Sequence, residues 1–172
     1  MENVQAGGDV DLLRFPTPFW HEGDGGRFIG TGHAVITRDP DTGEVNLGTY
    51  RVQLHDKDTV GLFARPGTHG RMHYEKWHAQ GQPCPVALSL GHHPLITRIA
   101  STSVPDEYAL IGAIREEPVE VIREEVTGLP IPADSEIVVA GWCYPGDTRP
   151  EGPFGEWLGY MSAEAAPAAV IR

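Results

Sequence analysis

Apolar residues occur along this chain in short runs that are separated by turns rich in Pro and Gly. Residues 28–38 form one such run and predict a strand, and residues 45–54 predict the strand that returns beside it. Residues 39–43 connect the two as a turn, because Pro40 fixes φ and Gly43 can adopt a positive φ. The two runs therefore predict a β-hairpin.

Helical and strand-like patterns follow through the rest of the chain. Residues 69–80 contain no Pro and include several strong helix formers, so they predict a helix that ends at Gly81. A second helix is predicted over 107–115, with the side chain of Asp106 as its N-cap. The remaining predicted elements are strands over 59–64, 86–90, 120–127 and 136–139, a helix over 94–101, and a strand at the end of the tail 164–172.

The number and spacing of these elements indicate the fold class. Strands outnumber helices and follow one another at hairpin spacing, which favours a mainly β, antiparallel barrel with inserted helices (α+β) over a doubly wound sheet. No Gly-rich dinucleotide fingerprint follows a strand, and no phosphate-binding P-loop is present. The length of 172 residues suits one domain. We expect residues 1–14 to be a leading arm or linker remnant before a domain over 15–172.

The charge balance limits the partners that this chain can have. Its formal net charge is -11, with 24 acidic and 13 basic residues, so its field repels nucleic acid and anionic membrane surfaces. An anionic cofactor would need local groups such as an Arg, backbone amides or a metal ion. The first residues carry no signal-peptide pattern, and no apolar run approaches membrane-spanning length, so we expect a cytoplasmic protein. Cys84 and Cys143 lie beside apolar strand residues and are expected to be buried free thiols.

Several polar side chains stand close together in residues 41–51. Asn46, Tyr50 and Arg51 offer an amide, a phenol and a guanidinium, which serve a ligand better than a core. Asn46 and Arg51 are an odd number of positions apart, so a regular strand would point them to opposite faces. Both can face one ligand only if the strand bulges or ends near Gly48. The alternative is that Arg51 is solvated on an outer face.

Histidines supply a second group of candidates. His69 and His73 are four residues apart and would share a face of the predicted helix, a geometry that can bind a transition metal. The alternative for His69 is a surface or capping role. The pair His92 and His93 lies between Gly91 and Pro94, which predicts an ordinary turn.

Residues 150–157 predict a constrained loop, since their Pro and Gly content suits neither a helix nor a strand interior. The loop holds Glu151 and Glu156 on either side of a Gly-Pro turn. Two close carboxylates suit acid/base work, because their repulsion raises the pKa of one of them. The alternative is that both are solvated glutamates on a turn.

Several short motifs occur in order along almost the whole chain. They are Gly30-Thr31-Gly32, 35–40, Asn46-Leu47-Gly48-Thr49-Tyr50-Arg51, His69-Gly70-Arg71, Pro85-Val86-Ala87 and Glu151-Gly152-Pro153-Phe154-Gly155-Glu156. Together these motifs resemble the UbiD-type decarboxylases, which use prenylated flavin mononucleotide (FMN) to decarboxylate or reversibly carboxylate aromatic and unsaturated acids. The resemblance implies the middle, flavin-binding domain of that family, a split β-barrel related to flavin reductases, without the domain that follows it in full-length members.

The resemblance also implies a metal site and a cofactor site. Asn46, His69 and Glu107 would coordinate Mn²⁺ or Mg²⁺, which would bridge to the flavin phosphate, and K⁺ is a further candidate cation. Oxygen ligands with one imidazole suit such a hard cation. Further residues that the resemblance places at the flavin are Thr49, Tyr50, Arg51, Thr68, Ser101 and Thr102, where the role of Thr68 stays open because the family often carries Gln or Lys there.

The catalytic set that the resemblance implies is Arg51, Glu151 and Glu156. Glu156 would protonate the carbon that loses carbon dioxide, while Arg51 and Glu151 position it. The expected function is that of a prenylated-FMN-dependent decarboxylase or reversible carboxylase for an aromatic or α,β-unsaturated carboxylic acid. Two alternatives stay open: a non-catalytic flavin- or metal-binding module that needs a partner chain, and a flavin reductase. We expect a small-molecule acid as substrate, and a homo-oligomer or a partner domain that completes the site.

Overall fold

A computed structural model describes residues 3–161 and 164–172. The arm predicted for residues 1–14 begins with two residues outside this range, and within the arm Leu12 is buried against the core. Two 3-10 turns, Gly7–Asp9 and Leu12–Arg14, precede the first strand. The strands in the described chain are β1 (Arg27–Gly30), β2 (Ala34–Arg38), β3 (Val45–Gly48), β4 (Arg51–Asp56), β5 (Thr59–Phe63), β6 (Cys84–Leu90), β7 (Val121–Arg123), β8 (Pro130–Pro132), β9 (Ile137–Cys143), β10 (Thr148–Glu151) and β11 (Ala166–Ile171), and the α-helices are α1 (His69–Ala79), α2 (Pro94–Ala100) and α3 (Glu107–Arg115).

The strands pair in antiparallel fashion, which confirms the prediction of a mainly β, α+β fold. A five-stranded sheet has the order β1-β4-β5-β11-β10, a four-stranded sheet has the order β3-β2-β6-β9, and β7 pairs with β8. Because the hydrogen-bonded strands of the described residues form these separate sheets, a closed barrel is not seen among them. The split barrel stays a prediction.

The four-stranded sheet is buried on both faces. In β2, Val35 packs into the core shared with the five-stranded sheet, whereas its neighbours Ala34 and Ile36 face a second core with α2 and α3. Side chains alternate between the two faces of a strand, and here both faces are apolar. The sequence at the start of β2 is therefore a continuous apolar run with neither strand alternation nor helical periodicity.

The five-stranded sheet is apolar on one face and carries polar groups on the other. Val52 and Leu54 of β4 pack into the shared core, which leaves Arg51 and Gln53 on the opposite face. Residues 59–64 were predicted as a strand, which β5 confirms, and β5 pairs with β4. The polar face of β4 is where the candidate site begins.

Two of the predicted strands are wrong as single elements. The run 28–38 is divided into β1 and β2, and the run 45–54 is divided into β3 and β4. In each case the chain leaves one sheet and joins the other, at residues 31–33 and 49–50. The hairpin itself is confirmed for β2 and β3, where Thr37 pairs with Asn46 and Gly43 adopts a φ of 78°.

The helix predictions are confirmed. Helix α1 ends before Gly81, which has a φ of 71°, and α2 covers all but the last residue of the predicted 94–101. Helix α3 has the predicted bounds, and the carboxylate of Asp106 accepts a hydrogen bond of 2.9 Å from the backbone N–H of Ala109. Local capping chemistry thus decides where this helix begins.

Residues 120–127 form less strand than predicted. Only β7 is extended, because the carboxylate of Glu124 accepts hydrogen bonds from the backbone N–H groups of Val126 and Thr127 and draws the chain into a turn. The predicted strand 136–139 begins at Ile137 and continues through β9, and the predicted strand 86–90 begins two residues earlier in β6. Pro85 has no backbone N–H to donate to a neighbouring strand. It is tolerated because the pairing of β6 with β2 ends at Val86, so no hydrogen bond to β2 is lost at position 85.

The prediction that residues 150–157 lie wholly outside a strand is also wrong. Pro150 and Glu151 belong to β10, which is an edge strand and so does not need the missing N–H of Pro150 for a second ladder. The tail prediction is confirmed, since β11 pairs with both β5 and β10.

Cys84 and Cys143 are buried and free as predicted, and burial raises the pKa of Cys143 to about 12. None of the helices in the described residues has the length and apolarity needed to cross a membrane.

Candidate functional site

A cavity of about 670 Å³ collects most of the predicted site residues. It lies between the β3–β4 corner, the start of α1, the end of α2 and the end of β10. Glu107 lies instead on a neighbouring cavity of about 490 Å³, which shares Asn46 and His69 with the first. The predicted residues that line the larger cavity are Asn46, Thr49, Tyr50, Arg51, Thr68, His69, Ser101, Thr102, Glu151 and Glu156.

The corner between β3 and β4 brings Asn46 and Arg51 to the same cavity. Strand β3 ends at Gly48 and β4 begins at Arg51, and the backbone N–H of Thr49 donates a 3.2 Å hydrogen bond to the carbonyl of Ala100 at the end of α2. The regular alternation of faces is therefore interrupted between the two residues. This is the break that their odd spacing requires.

Tyr50 fixes this corner against α1. Its hydroxyl accepts hydrogen bonds from the backbone N–H of Gly70 at 3.0 Å and from Nδ2 of Asn46 at 3.4 Å. Its ring leaves no room for side chains at Gly48 and Gly70, where a Cβ atom would lie 2.3 Å and 2.4 Å from ring atoms. Both glycines are thus needed for the close approach of the ring.

Arg51 and Glu151 form a bidentate ion pair beside the cavity. Nε of Arg51 donates to Oε1 of Glu151 at 2.7 Å, and Nη2 of Arg51 donates to Oε2 of Glu151 at 2.8 Å. The side chain of Glu151 is fully buried and that of Arg51 is 17% exposed, so the alternative of a solvated Arg51 is wrong. The guanidinium also lies 4.1 Å from the ring centre of Phe63. Such a pair is fixed in orientation as well as in position.

The loop after β10 is held by side chains from two other parts of the chain. Oε1 of Gln53 accepts a 2.8 Å hydrogen bond from the backbone N–H of Gly152, and Oδ1 of Asp24 accepts one of 2.7 Å from Gly155. Glu156 follows directly and its side chain is exposed. Glu151 and Glu156 therefore differ in environment: the former is paired with Arg51, and the latter is open to solvent at the cavity.

Glu107 is a buried carboxylate with one oxygen unused. Its Oε2 accepts a 3.1 Å hydrogen bond from the backbone N–H of Leu47, whereas Oε1 is buried without a partner in the described chain. Burial raises the pKa of Glu107, and the nearby His69 offsets part of that rise. An unpaired buried carboxylate oxygen is costly unless a cation or a proton satisfies it.

The donor set fits the predicted metal. Asn46 directs its amide nitrogen at the hydroxyls of Thr37 and Tyr50, which leaves its oxygen as the end available to a ligand. His69 stands at the first position of α1 and lines both cavities. Among residues 3–161 and 164–172 there is no group of three His, Cys, Asp or Glu that could hold a metal, but an Asn-His-Glu set includes an amide ligand. The metal role of these residues stays a prediction.

The other candidate histidines, His73, His92 and His93, have structural contacts. His73 lines the second cavity with His69, but its Nδ1 lies 3.0 Å from the hydroxyl of Thr37. His92 contacts the hydroxyls of Ser89 and Thr97, at 2.6 Å and 2.9 Å. The ring of His93 accepts a hydrogen bond at the start of α2. His92 and His93 lie in the short connection between β6 and α2, where His93 is the N-cap of the helix.

Sequence reasoning missed several residues at the cavity. The sequence around Arg65 was interpreted only as the end of a strand, although its Arg-Pro-Gly segment leads directly to His69. Ser103 lines both cavities, and it follows the predicted Ser101 and Thr102 in the same polar run. The unpredicted lining residues include Phe63, Arg65, Gly67, Ser103, Phe154 and Glu164.

The fold and the residues of the cavity are those expected of a flavin-binding domain of the UbiD type, and the comparison with protein families gives the same class. Residues 1–172 match the UbiD family, described as the 3-octaprenyl-4-hydroxybenzoate carboxy-lyase Rift-related domain. The chain therefore belongs to the UbiD family. It is 39% identical over 174 residues to the pyrrole-2-carboxylic acid decarboxylase of Pseudomonas aeruginosa, covering 99% of this chain and 35% of that protein.

Solved structures of UbiD-class enzymes are similar in fold. An evolved dimeric form of HmfF from Pelotomaculum thermopropionicum, solved in complex with prenylated FMN (prFMN), has a TM-score of 0.89 at 33% identity, over 95% of this chain and 39% of that one. The closed form of vanillic acid decarboxylase from Sedimentibacter hydroxybenzoicus has a TM-score of 0.89 at 34% identity, over 96% of this chain and 36% of that one. The chain thus spans little more than a third of the length of these relatives.

Proposed function

We propose that this chain is the cofactor-binding part of a prenylated-FMN-dependent decarboxylase, or reversible carboxylase, for an aromatic or α,β-unsaturated carboxylic acid. The observation that carries the proposal is the Arg51–Glu151 ion pair, which lies in the same cavity as Asn46, His69 and Glu156. A flavin reductase would need no such fixed charge pair beside an exposed carboxylate. The relatives named as decarboxylases, and the binding of prFMN by HmfF, support the proposal.

The cofactor would be held through its phosphate. Asn46, His69 and Glu107 would coordinate Mn²⁺ or Mg²⁺, and the cation would neutralise the phosphate inside a chain with a net charge of -11. The unpaired Oε1 of Glu107 supports this role. Thr49, Tyr50, Ser101 and Thr102 would offer hydroxyls and backbone groups to the flavin.

The residues of this chain would manage the proton of the reaction. Loss of carbon dioxide leaves an electron pair on carbon, which the bound prenylated flavin would stabilise and which a proton must then neutralise. Glu156 is exposed to the cavity and would deliver that proton. Glu151 would hold the guanidinium of Arg51 in one orientation. The guanidinium would then face the substrate carboxylate and lie beside Glu156. The net change is one proton taken up and one carbon dioxide released.

The rest of the site would come from outside this chain. The cavity is open to solvent, and this chain covers only 35% and 39% of the lengths of two of its relatives. A further domain, a second copy or a partner subunit would supply the missing wall. HmfF has been solved in an evolved dimeric form, which supports assembly as one route.

The first test uses the Glu156→Gln variant. The protein is loaded with prenylated FMN and Mn²⁺, cofactor binding is followed by absorbance, and carbon dioxide release is measured over a panel of aryl and acrylic acids. We expect turnover to fall by about 10²–10⁴-fold with little change in cofactor binding, because the change removes a proton donor and almost no volume. Glu120→Gln, at an exposed position outside both cavities, is the matched control.

The alternatives predict other results. A wild-type protein that binds the cofactor but releases no carbon dioxide, even with the further domain of a relative added, would be a non-catalytic module. Oxidation of a nicotinamide cofactor by wild type and Glu156→Gln at equal rates would indicate a flavin reductase.

A further inference from the structure

The direction of the Asn46 side-chain amide decides whether this residue can bind a cation. Only the oxygen of an amide can coordinate a metal, so the nitrogen must be turned away from the cavity. Asn46 is 5% exposed and lines both cavities. Something in the fold must therefore select one of the two orientations.

Thr37 is the residue placed to make this selection. It is the direct partner of Asn46 in the β2–β3 pair, so the two side chains lie on the same face of the sheet. Its hydroxyl is fully buried and lies 3.5 Å from Nδ2 of Asn46 and 3.0 Å from Nδ1 of His73. The hydroxyl has one proton and can donate it to only one of these neighbours.

His73 determines where that proton goes. Its Nε2 lies 3.8 Å from Oδ2 of Asp39, and the same oxygen accepts a 2.6 Å hydrogen bond from Nζ of Lys76. A carboxylate beside Nε2 favours the tautomer with the proton on Nε2, which leaves Nδ1 as an acceptor. The hydroxyl of Thr37 then donates to Nδ1.

The consequence for Asn46 follows from counting donors. Once Thr37 donates to His73, its oxygen can only accept from Asn46, and only the amide nitrogen can donate. The hydroxyl of Tyr50, which also accepts from Gly70, takes the second amide hydrogen. The oxygen of Asn46 is then the end that faces the cavities.

We propose that Thr37 and His73 are positioning residues that hold the amide of Asn46 with its oxygen toward the metal site. The proposal rests on the metal role of Asn46 in the proposed function. Neither residue would touch the metal: Thr37 acts through Asn46, and His73 acts through Thr37. Asp39 and Lys76 complete the chain of contacts to the surface.

The test compares Thr37→Val with Thr37→Ser. Valine keeps the shape of the side chain and removes the hydroxyl, while serine keeps the hydroxyl. Mn²⁺ affinity in the presence of FMN is measured by electron paramagnetic resonance of the free ion. We expect Thr37→Val to weaken Mn²⁺ binding about 10–100-fold and Thr37→Ser to stay close to wild type. His73→Phe should weaken binding in the same direction.

The matched control is Thr59→Val, which makes the same change at another fully buried strand threonine outside both cavities. Wild-type affinity in Thr37→Val would overturn the proposal. Equal losses in Thr37→Val and Thr37→Ser would indicate packing in place of hydrogen bonding and would overturn it as well.

A second measurement separates this proposal from the proposed function. The side-chain amide resonances of Asn46 are observed by nitrogen-15 nuclear magnetic resonance in the metal-free protein. We expect Thr37→Val to shift these resonances and Thr59→Val to leave them in place. A shift without any Mn²⁺ binding by wild type would reject the metal site but keep the positioning role, whereas unchanged resonances would reject the positioning role.

Discussion

The buried pair of Arg51 and Glu151 illustrates how one contact can serve a site at a cost to stability. Removing two charges from water is expensive, and their attraction in a low dielectric repays the cost only when both ends are well bonded. Here the bidentate geometry satisfies both oxygens of Glu151. The pair is better explained by its orientation in the cavity than by a gain in stability.

Substitution of one member should therefore be severe. In Glu151→Gln the guanidinium of Arg51 loses the negative charge of Glu151, while most of the Arg51 side chain stays buried. We expect the free energy of unfolding to fall by about 3–5 kcal/mol, as measured by urea denaturation. The double variant Arg51→Met with Glu151→Leu should recover much of this loss, because no charge is left buried. A double variant as unstable as the sum of its single variants would contradict this account.

His33 is a second residue whose burial has a measurable effect. It is 2% exposed, and both ring nitrogens lack a hydrogen bond of good geometry in the described chain, although the backbone of Tyr50 lies near. Burial and the neighbouring His92 lower the pKa of His33 to about 4, from 6.5. Between these two values the unfolded chain binds a proton that the folded chain does not.

This difference predicts a pH dependence of stability. The contribution of His33 is fully present above pH 6.5 and is lost as the pH falls toward 4, for a total of about 3 kcal/mol. In His33→Leu that part of the loss should disappear, as measured by urea denaturation between pH 7 and pH 4. The control His93→Asn removes an exposed histidine and should keep the wild-type profile. Parallel profiles for wild type and His33→Leu would show that His33 takes up its proton without cost.

At the level of elements, the corner between β3 and β4 is the feature that makes the site. Arg51 and Asn46 line one cavity there because the chain passes from the four-stranded to the five-stranded sheet within two residues. Tyr50 fills the space at the corner and contacts the second residue of α1. The glycines at positions 48 and 70 make room for its ring.

Gly70→Ala tests whether the ring of Tyr50 needs this space, because the variant should lower the free energy of unfolding and not raise it. In an open helix, replacing Gly by Ala stabilises by roughly 0.5–1 kcal/mol. Here the added Cβ would lie 2.4 Å from the ring of Tyr50, so we expect destabilisation on the order of 1–3 kcal/mol by urea denaturation. Gly32→Ala is the control, since no atom lies within 4 Å of its Cβ position. Stabilisation by Gly70→Ala would mean that the ring of Tyr50 can move away at no cost.

The elements also show what the sequence can and cannot predict. Helix α3 was predicted with its bounds, because Asp106 and the residues that follow it carry the signal locally. The break at residues 49–50 was not predicted as a change of sheet. The apolar positions do shift by one residue there, from Val45 and Leu47 to Val52 and Leu54, but a bulge within one strand gives the same shift, so only tertiary packing decides between the two. The odd spacing of Asn46 and Arg51 did indicate that a break was needed if both served one site.

For the whole molecule, the site depends on parts that are distant in sequence. The cavity is lined by residues from Asn46 to Ala166. The family motifs predicted most of the residues that line the cavity. They gave no role to Thr37 or Gln53, whose hydrogen bonds to Asn46 and Gly152 are seen only in the structure. Residues that support a site leave weaker sequence signals than residues that form it, since many side chains can supply one hydrogen bond.

The position of β11 within the five-stranded sheet has a consequence for how the protein folds. Strand β10 is hydrogen-bonded to the rest of the sheet through β11, which ends at Ile171. Arg51 and Glu151, which are 100 residues apart, can therefore meet only after the ribosome has released nearly the whole of this segment. Closing such long loops costs entropy before any contact repays it, and a fold rich in distant pairings is slow to form. We therefore expect the charge pair at the cavity to form late, when β11 inserts between β5 and β10.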